Sequence, residues 1–120
     1  MEIKKVWSVW FSGTGTTQKV ATALSKQVAE GLQAQWEEYS FNLPAAREKE
    51  LSFGPADLVV LGVPVYAGRV PNLLLPYIRD KVKGNGALAV PVVLYANPNF
   101  DDGLMELRNV LRDNGFHPIA

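Results

Sequence analysis

Four hydroxyl side chains and two glycines stand together at residues 12–17, after an apolar run and before a run with helical spacing. Glycines allow the backbone to curl so that successive N–H groups face inward, and the hydroxyls add further donors. Such a loop at a helix start suits a phosphate, because the helix dipole favours an anion there. The loop contains no Lys or Arg, so amides and hydroxyls would hold the anion. The hydroxyls belong to Ser12, Thr14, Thr16 and Thr17, and the glycines are Gly13 and Gly15.

Two other phosphate motifs fit this loop less well. The nucleoside-triphosphate loop requires Gly-Lys-Ser/Thr, but here Gln18 precedes Lys19. The dinucleotide fingerprint begins with the glycines of residues 13–15 and has Gln18 in place of its third glycine. Glu37 or Glu38 could stand for its ribose-binding acid, so this alternative stays open. A polar turn that caps the helix is a further alternative, although a cap needs only one hydroxyl.

Composition restricts the classes of function. Twelve basic and twelve acidic residues give the 120-residue chain zero net charge, and no cluster of Lys and Arg suggests a nucleic-acid partner. The chain has no cysteine for disulfides, iron–sulfur ligation or thiol catalysis, and the lone His117 cannot form a multi-histidine metal site. Its apolar runs are too short for a membrane span or a secretory signal. We expect a single cytoplasmic domain over residues 1–120.

Strands and helices are predicted to alternate along the chain. Runs rich in Val, Leu and Trp are apolar on both faces, which is typical of strands buried on two sides, and runs with helical spacing separate them. This alternation predicts an α/β fold with a parallel sheet between two layers of helices. The predicted strands are residues 3–11, 34–43, 57–66, 87–97 and the final HPIA, and the predicted helices are residues 18–30, 71–82 and 101–113.

Single residues predict the faces and ends of the helices. Val20, Leu24 and Val28 recur at helical spacing and predict the buried face of the first helix. Glycine commonly follows a helix in a left-handed conformation, so Gly31 predicts the end of the first helix and Gly115 the end of the last.

Prolines and polar segments lead to further expectations. Pro76 must lie near the first turn of its helix or kink it. The strand predicted at 87–97 is most secure from Val92 on, because Pro91 cannot donate to a central ladder. Asp101 is a suitable N-cap for the last helix. The segments 42–44 and 47–50 are interpreted as solvated surface.

Ligands of open parallel sheets bind beyond the carboxyl ends of the strands, where the strand order reverses. The loops at 12–17, 64–71 and 95–101 follow the three central predicted strands, so we expect them to lie together at this edge.

Three segments resemble the flavodoxin family. WFSGTGTTQKVA (10–21) is similar to its phosphate loop, in which an aromatic residue, Ser or Thr, a Thr-Gly-x-Thr core and an alanine follow the first strand. GVPVYAGRVPNLL (62–74) and VVLYANPNFDDGL (92–104) resemble its two flavin-ring loops, particularly those of flavodoxin-like domains fused to bacterial ferredoxins. The resemblance implies a doubly wound sheet of order 2-1-3-4-5, here with a short or incomplete fifth strand.

The resemblance also implies FMN as the cofactor. Tyr66 and Tyr95 would offer faces for stacking on the ring, and Gly68 would let a loop peptide reorient. The implied phosphate residues are Ser12, Gly13, Thr14, Gly15, Thr16 and Thr17, and the implied ring residues are Pro64, Val65, Tyr66, Ala67, Gly68, Arg69, Tyr95, Asn97 and Phe100.

The function implied is electron transfer with a redox partner protein such as a ferredoxin or a reductase. Two alternatives stay open, an FMN-dependent quinone-type reductase that acts as a dimer and a flavin-free interaction domain with the same fold. The chain is neutral where the family is typically acidic, and the family's complete fifth strand and final helix are absent after residue 120. We therefore expect part of the strand at 6–11 to meet water. Its exposure predicts a homodimer through this side or a longer natural polypeptide.

Overall fold

The structure is a computed structural model that describes residues 2–12, 15–65, 70, 73–95 and 103–119. Within these residues, no helix is long and apolar enough to cross a membrane. The strands are β1 (Lys5–Trp10), β2 (Gln35–Ser40), β3 (Leu51–Ser52), β4 (Asp57–Val65), β5 (Val82–Lys83), β6 (Leu88–Tyr95) and β7 (His117–Pro118). The helices are α1 (Thr16–Leu32), α2 (Leu74–Lys81) and α3 (Gly103–Asp113), with a single 3-10 turn at Ala46–Glu48.

The main sheet has the order β2-β1-β4-β6-β7, and all of its neighbouring strands are parallel. Numbered by their own chain order, these five strands run 2-1-3-4-5, so the expected flavodoxin-like topology is confirmed. The last strand contains only two residues, as the sequence predicted. β3 and β5 form a separate small sheet. The weak strand predicted at 34–43 is β2, which lies at the edge.

Helices cover both faces of the sheet. On one face, Val6 and Trp10 of β1 and Val60 of β4 pack in a cluster with α1. On the other face, Val9, Leu61 and their neighbours pack against α2 and α3 in a larger cluster. Alternate residues of β1 and β4 thus enter opposite cores, because side chains of a strand point to its two faces in turn.

The face that α1 turns to the sheet differs from the predicted one. Its buried residues are small and recur every four positions: Thr17, Ala21, Ser25 and Ala29. The predicted residues Leu24 and Val28 are half-buried beside this line, and Val20 is 38% exposed. Small side chains allow the helix axis to approach the sheet closely, so the larger residues pack at its flank.

The end of α1 also differs from the prediction. Gly31 lies inside the helix, and Gln33 takes the left-handed conformation at φ 54°. The N–H groups of Gln33 and Ala34 donate to the carbonyls of Glu30 and Ala29, at 3.2 and 2.9 Å. This bonding pattern is that of a Schellman motif, so the helix ends two residues later than glycine suggested.

The end of α3 agrees with the prediction. Gly115 has φ +90°, and its N–H donates to the carbonyl of Arg112 at 3.1 Å. The next N–H, of Phe116, donates to the carbonyl of Leu111 at 3.0 Å. Leu111 and Phe116 are both buried, as the hydrophobic contact of a Schellman motif requires.

Prolines lie where a backbone donor is not required. Pro76 is in the first turn of α2, as expected. Pro91 lies inside β6, which begins at Leu88, within one residue of the predicted start at 87. Ala89 accepts a bond from Ile119 on the β7 side, so the nitrogen of Pro91 faces the same side, where β7 has ended. An interior strand position is therefore compatible with this proline.

The α1 face of the sheet is incompletely covered over β6. Leu88, Val90 and Val92 are half-buried, and we call these three residues the β6 strip. Val6 and Trp10 of this face are buried, whereas Trp7 and Phe11 on the other face are half-buried, so the expectation that part of the strand at 6–11 meets water holds only for the other face. α1 lies over β1 and β4, which leaves the exposed area one strand further toward the edge.

Candidate functional site

The three central strands carry their following loops to one edge of the sheet. Val65 and Tyr95, the last residues of β4 and β6, are paired in register. β1 ends at Trp10 beside Gly62, and α1 and α3 begin at this same end. The three central strands therefore end at one carboxyl edge, at the point where the strand order reverses, and each of the loops that the sequence singled out starts from this edge.

The structure describes part of the predicted phosphate loop. Ser12 is buried just after β1, Gly15 precedes α1, and Thr16 and Thr17 begin the helix. Gly13 and Thr14 lie outside the described residues.

The predicted ring loops are described only at their starts. Pro64 and Val65 are buried at the end of β4, and Tyr95 ends β6. The remaining predicted ring residues lie outside the described residues: Tyr66, Ala67, Gly68, Arg69, Asn97 and Phe100. The predicted N-cap Asp101 also lies outside them.

A hydrogen bond joins Ser12 to Gly15 at the start of α1. The N–H of Gly15 donates to Oγ of Ser12 at 2.9 Å, and Gly15 has φ +88°, which glycine adopts without strain. Since this Oγ accepts a bond, its own proton can be donated to a ligand. The first turn of α1 contains no acidic residue, so the helix itself places no carboxylate against an anion at this terminus.

Close backbone packing determines where α1 begins. A Cβ atom added to Gly62 of β4 would lie 3.0 Å from Cγ2 of Thr17 and 3.3 Å from Cβ of Ala21. A side chain at this position would displace the first turn of the helix. On the other face, a Cβ on Gly103 would lie 2.8 Å from Cγ2 of Val65, so α3 also begins in close contact with the end of β4.

Of two residues interpreted as solvated surface, Asn42 contacts the loop and Arg47 contacts the backbone beside Asn42. Asn42 binds the backbone of Ser12 through both side-chain atoms, with its Oδ1 2.7 Å from the nitrogen and its Nδ2 3.1 Å from the oxygen. Nη1 of Arg47 donates to the carbonyls of Phe41 and Asn42, each at 2.8 Å. The surface interpretation is wrong for these two. Asn42 lies inside the strand predicted at 34–43 and two residues beyond the observed end of β2, and its partner is 30 residues away, so no local signal pointed to this contact.

A buried phenol lies behind these contacts. Tyr77 of α2 stacks on Phe41 with ring centroids 5.0 Å apart, and its hydroxyl has no hydrogen-bond partner among the described residues. Burial raises the pKa of Tyr77 well above its ordinary value, and the nearby Tyr39 raises it further, while Arg47 acts in the opposite direction. The phenol is therefore neutral at physiological pH.

The acid required by the dinucleotide alternative is engaged elsewhere. Oε2 of Glu38 accepts hydrogen bonds from Nε1 of Trp10 and Oγ1 of Thr22, both at 3.1 Å. Glu37 lies beside Lys5, with Nζ and Oε1 3.9 Å apart. Glu38 thus joins β1, β2 and α1, which weakens the dinucleotide interpretation. The described residues also contain no group of His, Asp and Glu side chains that could hold a metal ion.

The whole arrangement is an α/β protein of flavodoxin-like fold. It is similar to a solved structure from Bacteroides uniformis whose protein is provisionally named a flavoprotein, with a TM-score of 0.60 and 18% identity. The alignment covers 98% of this chain and 88% of that one. At this identity, the similarity shows the fold alone. The chain matches no protein-family model and no curated protein.

Proposed function

We propose that the chain is an FMN-binding electron-transfer protein of flavodoxin type. The observation that carries the proposal is the bond from the Gly15 N–H to Oγ of Ser12 at the start of α1, on the switch-point edge of the sheet. The structurally similar protein that is provisionally named a flavoprotein adds support for a flavin.

The described residues fit a phosphate. The first turn of an α-helix has N–H groups without partners inside the helix, and its dipole favours an anion. Ser12 can donate its proton, and no acidic residue in the first turn of α1 opposes a dianion. In this proposal the phosphate is held by residues 12–17, and the flavin ring lies between the loops at 64–69 and 95–100.

The flavin would supply the redox chemistry when bound, and the chain's own residues would bind and orient it. Residues 12–17 would fix the phosphate end. Pro64 and Val65 are buried in β4 and would hold the start of one ring loop against the sheet. The redox partner would be a ferredoxin or a reductase, and it would approach the ring at the same edge.

A titration tests the proposal directly. The purified chain is mixed with FMN and with riboflavin, and flavin fluorescence and the visible spectrum are followed. We expect quenching and a shifted spectrum with FMN at a much lower concentration than with riboflavin, because only FMN carries the dianion. A charge-assisted hydrogen bond contributes roughly 1.5–3 kcal/mol, so one such bond corresponds to about tenfold or more in affinity. Absence of binding would instead favour a flavin-free interaction domain.

A second measurement separates a carrier from a reductase. NAD(P)H is added to the FMN-loaded protein without another enzyme, and flavin absorbance is recorded. A carrier keeps its oxidised spectrum until a reductase is added. Rapid bleaching by NAD(P)H, followed by reoxidation with a quinone, would favour the reductase.

A further inference from the structure

The ladder between β1 and β2 is replaced by side chains where the phosphate loop begins. Its last regular pair is Trp10 with Ser40, after which Phe41 still donates its N–H to the carbonyl of Trp10 at 3.0 Å. The parallel pattern would next join the N–H of Ser12 to the carbonyl of Phe41. Instead, the side-chain amide of Asn42 accepts from the Ser12 nitrogen and donates to the Ser12 oxygen.

Arg47 satisfies the backbone that this replacement leaves open. Its Nη1 donates to the carbonyl of Phe41, the acceptor that Ser12 would have used, and to the carbonyl of Asn42. Its guanidinium carbon also lies 5.9 Å from the ring centroid of Phe11. We call Asn42 and Arg47 the β2 clasp.

A series of hydrogen bonds and short backbone segments links the β2 clasp to the start of α1. Asn42 fixes both backbone polar groups of Ser12, Ser12 accepts from Gly15, and α1 begins at the next residue. The start of the loop is therefore held by a side chain from the connection after β2, which the loop's own sequence does not reveal.

We propose that Asn42 and Arg47 are positioning residues that hold the phosphate loop in the conformation that binds the FMN phosphate. This inference rests on the proposed function. A loop that is ordered before the ligand arrives does not lose that entropy on binding, so affinity for the phosphate depends on the clasp. Arg47 also places a positive charge beside Phe11, close to a loop without a cation of its own.

The test compares FMN with riboflavin in two variants and one control. Asn42→Ala removes both bonds to Ser12, and Arg47→Met keeps the apolar stem while removing the donors and the charge. Asn114 provides a matched control, because its Nδ2 donates to the carbonyls of Ile78, Arg79 and Val82 at the opposite end of α3. Asn114→Ala therefore removes a similar amide clasp away from the loop.

We expect Asn42→Ala and Arg47→Met to weaken FMN binding about tenfold or more while riboflavin changes by less than about twofold, because two hydrogen bonds that order the loop are lost in each. Asn114→Ala should lower the denaturation midpoint and leave the FMN-to-riboflavin affinity ratio unchanged. Arg47→Lys keeps a charge without the planar fork, so recovery of the ratio would assign the effect of Arg47 to its charge.

The inference and the proposed function fail in different ways. If the wild type binds FMN no better than riboflavin, the phosphate assignment is wrong, and the inference is overturned with it. If the wild type prefers FMN and folded Asn42→Ala and Arg47→Met keep the same ratio, only the positioning role is overturned. Amide hydrogen exchange measures the order of the loop without a ligand, and Arg47→Met can be used if Asn42→Ala folds poorly. The Ser12 and Gly15 amides should be protected in the wild type and should exchange faster in Arg47→Met. Unchanged exchange would contradict the positioning role of Arg47.

Discussion

Ionisation of the Tyr77 hydroxyl should destabilise the folded protein at high pH. Its folded-state pKa is raised above the unfolded value of about 10, so its contribution to stability is complete below pH 10 and is lost as the pH rises further. The free energy of unfolding should therefore fall above pH 10 by up to about 1.4 kcal/mol per pH unit from this group. We expect Tyr77→Phe to flatten this fall, as measured by urea unfolding between pH 8 and 11.

Tyr39 provides the matched comparison. Its hydroxyl donates to the carbonyl of Ala46 at 2.6 Å, whereas that of Tyr77 has no partner in the described ranges. Tyr39→Phe should therefore cost about 0.5–1.5 kcal/mol at pH 7, and Tyr77→Phe should be neutral or stabilising. A large loss at pH 7 in Tyr77→Phe would show that its hydroxyl has a partner after all.

Thr17 allows a single hydroxyl to be removed without changing the packing. Its methyl group faces Gly62, so Thr17→Val keeps this contact and removes only the hydroxyl. We expect FMN affinity to fall about tenfold and riboflavin affinity to stay nearly constant, as measured by fluorescence titration. Thr22→Val on the same helix is the control, because the Thr22 hydroxyl binds Glu38 instead. Equal losses for FMN and riboflavin in Thr17→Val would refute the phosphate role.

At the C-terminal end of α1, a glycine occupies a helical position and a non-glycine residue occupies the left-handed position that follows the helix. Gly31 lies in the helix with open space around its missing Cβ, and Gln33 carries the left-handed conformation that glycine prefers. Gly31→Ala should stabilise the protein by about 0.5–1 kcal/mol through helix propensity, and Gln33→Gly by up to about 1 kcal/mol. Thermal unfolding of each single variant and of the double variant measures these gains. A loss in Gln33→Gly would mean that its side chain contributes more than its backbone costs.

The elements were predictable where the pattern was local. The continuous apolar run that became β4 and the glycine after α3 each determine their structure within a few residues. The buried face of α1 was not predictable, because Leu24 and Val28 have the right spacing. The smaller residues face the sheet only because Gly62, more than 40 positions beyond Thr17, allows the helix to approach.

The position of the candidate site was predictable from the sequence, but the contacts of Asn42 and Arg47 that hold its first loop were not. Parallel strands with loops at their carboxyl ends suffice to place residues 12–17 at the sheet edge. The contact between Asn42 and Ser12 depends on the register of β1 with β2, which no local pattern contains. For the same reason, Arg47 could not be distinguished from an exposed arginine.

At the scale of the whole molecule, the β6 strip is apolar surface on the α1 face of the sheet that the described helices cover only in part. Val90 and Val60 lie on the same face of neighbouring strands, but Val60 is fully buried and Val90 is half-buried. Val60→Ala should cost roughly 2–3 kcal/mol, and Val90→Ala about half of that or less, because the cost follows the apolar surface removed from water and the cavity left. Urea unfolding at pH 7 measures both, and equal costs would contradict the partial exposure of Val90.

Self-association through this side stays a proposal. Zero net charge does not oppose the approach of a second copy, and the β6 strip offers apolar surface for it to cover. Light scattering over a range of concentrations should report a dimer, and Val90→Lys should convert it to a monomer without unfolding. A monomer at all concentrations in the wild type would exclude this interface.

The strand order also determines how the sheet assembles as the chain is synthesised. β1 and β2 form the first pair, and then β4, β6 and β7 each add to the same side, in the order in which they leave the ribosome. A nascent chain therefore presents a growing strand edge in addition to the edge at β2, and each new strand covers the previous growing edge. Such edges are where incomplete chains aggregate. Among the described residues, β7 pairs with β6 only as far as Ala89, and beyond it Pro91 offers no N–H on that side, so this part of the β6 edge presents one donor fewer to another chain.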